Sequence, residues 1–178
     1  MNRQRLDAEE LRDAILQITG KLDLTMGGPA AMQFQMEDPN PPVTPMVDYA
    51  KFDVDSPGSY RRSVYRFIFR TAPDPFMDAL DCADASQLTP SRNESLTALQ
   101  ALATMNNRFI LRQAEHLAAR VAQAGSTLEK QIAAMYQLVL ERPPTPSEIK
   151  TFKIYASEHG MANAGRILLN SNEFMFVD

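Results

Sequence analysis

Four aspartates, Asp74, Asp78, Asp81 and Asp84, fall within eleven positions, and just upstream Arg61, Arg62, Arg66 and Arg70 are interleaved with Tyr65, Phe67 and Phe69. Residues of these types could serve three chemistries. Clustered carboxylates hold hard cations such as calcium through oxygen ligands. A carboxylate pair about 5 to 10 Å apart across a cleft hydrolyses glycosidic bonds. Arginines beside aromatics grip carboxylated or sulfated groups in bidentate fashion while the rings stack on sugars or bases. The aspartate spacing lacks the alternating ligands, closing glutamate and glycine of an EF-hand, so no metal is expected. A structural role competes with all three: Asp suits turns and caps around Pro73 and Pro75, the aromatics fill the core, and the arginines pair with the aspartates. The chain has no Trp, the strongest stacking residue, which favours that structural role.

A second polar group surrounds Asn106. Leu96, Leu99, Leu102 and Ala103 share a helical face on which Asn106 also falls. An amide there must find partners or cost about 1 to 3 kcal/mol. Arg92, Asn93 and Gln100 are near enough in sequence to supply them, either to fix how two helices meet at Asn106-Asn107 or to build a ligand site. The candidate ligand-binding residues are therefore Arg61, Arg62, Tyr65, Arg66, Asp78, Asp81, Arg92, Asn93 and Asn106. None is assigned a catalytic role. His116 falls with Arg112, Gln113 and Arg120 opposite an apolar stripe and is expected in solvent. His159 belongs to the last turn of its helix, and neither histidine accompanies a Gly-x-Ser-x-Gly nucleophile. Cys82 is the single cysteine, so an intramolecular disulfide, a cysteine-pair metal clamp and a haem attachment are excluded, and no cofactor is expected.

These residues must be positioned by elements whose pattern is mainly helical. Asp7 and Glu10 have capping-box spacing and open a helix over 7–20, with Leu11, Ala14, Ile15, Ile18 and Leu22 as its apolar stripe and Gly20 as its end. A Pro-rich connection over 27–60 follows, holding six of the twelve prolines. Connections of this length are uncommon unless they bind something or cover something; Met32, Phe34 and Met36 alternate within it as a short half-buried strand. From 61 to 71 an extended segment is expected, because Ser63, Tyr65, Phe67 and Phe69 alternate with Val64, Arg66, Ile68 and Arg70. A helix there would instead gather Tyr65, Ile68 and Phe69.

Residues 95–178 read as helices. Ile110, Ala114, Leu117 and Val121 form one stripe; Leu128, Ile132, Met135, Tyr136 and Val139 form the next, opened by Ser126 and Glu129. Thr145-Pro146-Ser147-Glu148 supplies a cap, a first-turn proline and the acid of a capping box. A last helix runs from about Ala162 to Leu169. One-sided helices must bury their stripes against each other, so the expected fold is mainly α, a multi-helix orthogonal bundle with a minor extended or β portion over about 30–71. With 178 residues the chain is expected to form a single domain.

A net charge of −4 argues against non-specific nucleic-acid binding. No apolar run reaches the length of about 18 residues that spans a bilayer, so no membrane insertion is expected. Met1-Asn-Arg-Gln-Arg-Leu-Asp leads into a charged helix and lacks a signal-peptide core.

Five blocks carry a family resemblance: Arg5-Leu6-Asp7-Ala8-Glu9, Leu22 to Pro29, Arg61-Arg62-Ser63-Val64-Tyr65, Leu99-Gln100-Ala101-Leu102, and Leu168 to Phe174. In this order they resemble the C-terminal region of a planctomycete-type family of secreted proteins, the domain-of-unknown-function family 1553. The segment from Met135-Tyr136 through Arg142-Pro143-Pro144 to Glu173-Phe174 also resembles a helical motif of other surface-associated bacterial proteins. The resemblance implies a cell-envelope or extracellular setting, with other domains of a longer parent protein or envelope proteins as partners. Some relatives carry a c-type haem domain in front, but this chain has no Cys-x-x-Cys-His, so no redox role carries over. The family itself has no established activity to transfer; the expected function is binding or scaffolding without chemistry of its own, and the alternative is a polysaccharide-active or accessory domain with an Arg/aromatic/Asp cleft.

Overall fold

The computed structural model describes residues 4–37, 46–83 and 97–177. Its described elements are mainly helical, as the periodicities predict: α1 (Ala8–Thr19), α2 (Pro75–Ala79), α3 (Ala98–Asn106), α4 (Arg108–Ala122), α5 (Leu128–Leu140), α6 (Pro146–His159), α7 (Met161–Leu169) and α8 (Asn172–Met175). Two small antiparallel sheets complete it. β1 (Gln4–Arg5) pairs with β4 (Phe176–Val177), and β2 (Gln35–Glu37) pairs with β3 (Met46–Asp48).

The long amphipathic helix α4 packs against α1, α3, α5 and α7. Its stripe is as expected: Ile110, Ala114, Leu117 and Val121 are all buried, and they join Leu11, Ile15, Leu16, Ile132, Met135, Tyr136 and Leu169 in one core. Gly165 lets α7 approach α4 closely, since a Cβ there would stand 3.2 Å from Leu117 Cδ2. Helix ends follow local chemistry. Thr145 and Glu148 form the predicted capping box of α6, and Gly20 ends α1 in the left-handed region at φ 73°. Pairing of β1 with β4, extended by the Leu6 N–H to Met175 O bond of 2.9 Å, ties the two ends of the described chain together and so places Arg5.

Several sequence expectations are corrected. The cap of α5 is Thr127, whose hydroxyl accepts from the Lys130 N–H, one residue after the expected Ser126. Residues 61–71 are not a strand: Ser63–Tyr65 form a 3-10 turn flanked by single bridges, Asp23 to Arg61 and Ala31 to Arg66. Within the proline-rich connection Phe34 is buried while Met32 and Met36 are exposed, because Phe34 alone inserts among Tyr49, Phe67 and Phe69, edge-on at 5.5 to 5.8 Å. Helix α1 is turned from its expected stripe so that Arg12, Leu16 and Thr19 face inward. Gln113 is fully buried and accepts from the Thr19 hydroxyl at 2.8 Å, which removes it from the polar face on which the sequence places it.

Candidate functional site

The arginine-rich segment 61–66 wraps over α1, and one buried guanidinium organises it. Arg12 is 3% exposed. Its Nη1 donates to Arg61 O at 2.9 Å and to Ser63 Oγ at 3.3 Å, its Nη2 donates to Ser59 O, and its plane lies over the Phe109 ring at 5.4 Å. The neighbouring Asp13 carboxylate accepts from both the Ser63 N–H and hydroxyl. Burial pushes the Arg12 guanidinium down to about 10; Arg66 acts the same way, against Asp13 and Asp74. Arg12 lies on a helix that reads as ordinary and was missed from sequence; an arginine one position after Leu11, on the edge of an apolar stripe, was the available signal.

The seven candidate residues that the structure describes do not converge on one pocket. Arg61 donates to the carbonyls of Thr25 at 3.2 Å, Gly27 at 2.5 Å and Pro29 at 3.0 Å, and stacks over the Tyr65 ring at 4.1 Å. Tyr65 Oη accepts from the Gly27 N–H at 2.9 Å. Arg61 and Tyr65 therefore pin the Gly27-Gly28-Pro29 turn. Arg62 is exposed and lines an open groove of about 800 Å³ along α1. Arg66 pairs with Asp74 at 2.7 Å and donates to Gln33 Oε1 at 3.0 Å. Asp74 also caps α2 by accepting from the Phe76 N–H, which is the turn chemistry expected of this aspartate.

Asp81 adopts a left-handed φ of 59°, which an aspartate tolerates better than most residues. Its carboxylate accepts from Arg5 Nη2 at 2.9 Å and from Gln100 Nε2 at 2.8 Å, and Arg5 Nη1 reaches Gln100 Oε1 at 2.6 Å. Asp78 is exposed and lines a cavity of about 310 Å³ with Arg66, Arg70, Tyr49 and Phe67. Of the described candidate residues, only Arg66 and Asp78 share this cavity.

The polar network expected around Asn106 is overturned on its main point. Asn106 is exposed and its Nδ2 donates to Leu102 O one turn back. Helix α3 buries Gln100 and Thr104 and turns Leu99 and Leu102 outward. The reason is tertiary: Arg5 and Asp81 take the Gln100 amide, and the Thr104 hydroxyl bonds Asn170, so the polar side faces in. Arg92, Asn93 and Asp84 lie outside the described residues, as does Leu96.

His116 is corrected too. Its side chain is 15% exposed and its Nε2 lies 2.8 Å from Asp55 Oδ1. Asp55 also accepts from Tyr60 Oη at 2.9 Å and Arg112 Nε at 2.6 Å. Burial alone would raise the Asp55 carboxyl, but the bonds from His116, Tyr60 and Arg112 hold it down at about 2. Burial and the bond to Asp55 push the Tyr60 phenol up to about 12. The cluster clamps the 53–60 connection onto α4. Among the described residues no three His, Cys, Asp or Glu side chains gather as a metal site, and no helix is long and apolar enough to cross a membrane.

Paired in space, the blocks that looked familiar in sequence explain one another: Leu22–Pro29 is held by Arg61 and Tyr65, and Arg5 is held against Gln100. A mainly α module built on such internal contacts is the class of protein that the fold defines. The profile of PSD1, a protein family of unknown function (DUF1553), matches residues 1–156, and the chain belongs to that family. No curated protein and no solved structure matches it.

Proposed function

We propose that the chain is a helical binding or scaffolding module of an envelope-associated or exported bacterial protein, one domain that acts through its surface and without chemistry of its own. Its partners on this reading are other domains of a longer parent protein or envelope proteins. The observation that supports it is the internal use of the polar residues: Arg61 on three turn carbonyls, Arg66 on Asp74, and Asp81 on Arg5 and Gln100. Groups held in this way set the shape of a module and leave little to act on a substrate.

A second reading is favoured by the cavity beside Asp78, where an exposed carboxylate stands among Arg66, Arg70 and aromatic rings, as a polysaccharide-active or accessory domain would need. One experiment separates the two. The chain and its Asp78→Asn variant are incubated with neutral, carboxylated and sulfated polysaccharides while soluble reducing ends and co-sedimentation are followed. The module reading expects neither cleavage nor retention. Reducing ends or retention that disappear in Asp78→Asn would replace it with the second reading.

A further inference from the structure

Beside Arg12 lies a cavity of about 270 Å³, bounded by α1, α2, the start of α4 and the connection around Tyr49 to Ser59. Its walls are mostly apolar, with the rings of Tyr49, Phe52, Phe76 and Phe109 among them, and two guanidinium groups, Arg12 and Arg108, stand on its lining. We propose that this cavity binds a small organic anion with an apolar body, of the size and kind of a single-ring carboxylate.

The charge balance favours an anion. Arg12 is almost wholly buried, and its nearest carboxylate, Asp13, is at 3.5 Å, the far edge of a hydrogen bond. Arg108 is exposed at the cavity and, among the described residues, has neither an ion pair nor a side-chain hydrogen bond. It is also the first residue of α4, where a positive charge opposes the helix dipole and an anion is favoured. Among the described residues, the opposing charge on the lining is the Asp74 carboxylate. Asp74 is already held by Arg66 at 2.7 Å and by the Phe76 N–H at 2.9 Å, and Arg12 by the carbonyls of Ser59 and Arg61, so among the described residues Arg108 is the charge on the lining left for a ligand. Gln33 also lines the cavity, and its buried Nε2 has no hydrogen-bond partner. Burial strengthens the argument, because a guanidinium that burial pushes down to about 10 gains most from a counter-ion.

Size and walls set the body of the ligand. The volume lies just below the usual range of ligand cavities, about 300 to 1,000 Å³, which suits one ring and is too small for an oligosaccharide. Phe76 and Phe109 stand with ring centroids 6.0 Å apart and tilted by 46°, offering both a face and an edge to an aromatic guest. A carboxylate takes bidentate contacts from guanidinium, which makes it a better match than a halide or a neutral amide of equal shape.

The inference is independent of the scaffolding reading, because it is measured on this chain alone. The probes are benzoate and its neutral counterpart benzamide, titrated into the full chain and followed by calorimetry and saturation-transfer NMR. Benzoate is expected to bind saturably and about tenfold more tightly than benzamide, the worth of a charge-assisted hydrogen bond. Arg108→Gln, an exposed substitution that leaves the core intact, is expected to erase most of that preference, while Arg108→Lys retains part of it. Equal affinity for acid and amide would overturn the proposal, as would benzoate binding unchanged in Arg108→Gln or the absence of saturable benzoate binding up to about 10 mM.

Discussion

The Nη1 of Arg12 donates to the main-chain carbonyl of Arg61 at 2.9 Å, so the first helix grips the backbone of the arginine-rich segment from below. The side chain of Arg61 then faces the other way, onto the carbonyls of Thr25, Gly27 and Pro29. One buried arginine thus orders two consecutive layers of loop over α1.

Replacing Arg12 should be among the most damaging single changes in the chain. Arg12→Leu keeps the apolar contact to Phe109 but leaves the carbonyls of Ser59 and Arg61 without their donor, at a cost of about 2 to 4 kcal/mol. Urea denaturation measures it; a loss below about 1 kcal/mol would mean that the loops rearrange around the missing guanidinium.

Helix α3 offers a paired test of which side faces inward. Gln100→Ala removes bonds to Arg5 and Asp81 from a residue 4% exposed and should cost more than about 1 kcal/mol. Asn106→Ala removes a solvent-exposed amide and should stay within about 0.5 kcal/mol of the parent. The reverse order in the two denaturation curves would place the apolar side of α3 in the core after all.

The capping positions separate the two readings of where α5 begins. Thr127→Ala and Thr145→Ala should each lose about 1 kcal/mol, since each hydroxyl accepts from a first-turn N–H, while Ser126→Ala should be nearly neutral. Equal losses at 126 and 127 in thermal unfolding would contradict the assignment of Thr127 as the cap.

Acid should unfold the protein through two carboxylates held low. Asp55 is at about 2 where 3.8 is usual, by the competition of burial with the bonds from His116, Tyr60 and Arg112. Glu148 is at about 2 where 4.5 is usual, chiefly through Arg142 and the Thr145 N–H. Because both are depressed on folding, the stability they contribute is complete above their usual values and is lost as pH falls toward 2. Asp55→Asn should therefore be less stable than the parent near neutral pH and approach it in strong acid. A stability difference that does not change with pH would show that Asp55 carries no charge-dependent clamp.

Much of the helical framework was legible in the residues alone. The period of Ile110, Ala114, Leu117 and Val121, the cap and proline at Thr145-Pro146, and the glycine after α1 are local signals, because backbone bonding and capping involve neighbours within four positions. The candidate site was far less legible. Gln100 faces inward because Arg5 and Asp81, 95 and 19 positions away, bond its amide. His116 leaves solvent because Asp55 waits 61 positions away. Arg12 can be buried only where the carbonyls of Ser59 and Arg61 meet it, 47 and 49 positions on. Sequence alone determined where the chain turns helical and which stripes are apolar. The tertiary structure decided which polar groups go inside, since a polar side chain can leave water only when its partners are present, and those partners are distant in the chain.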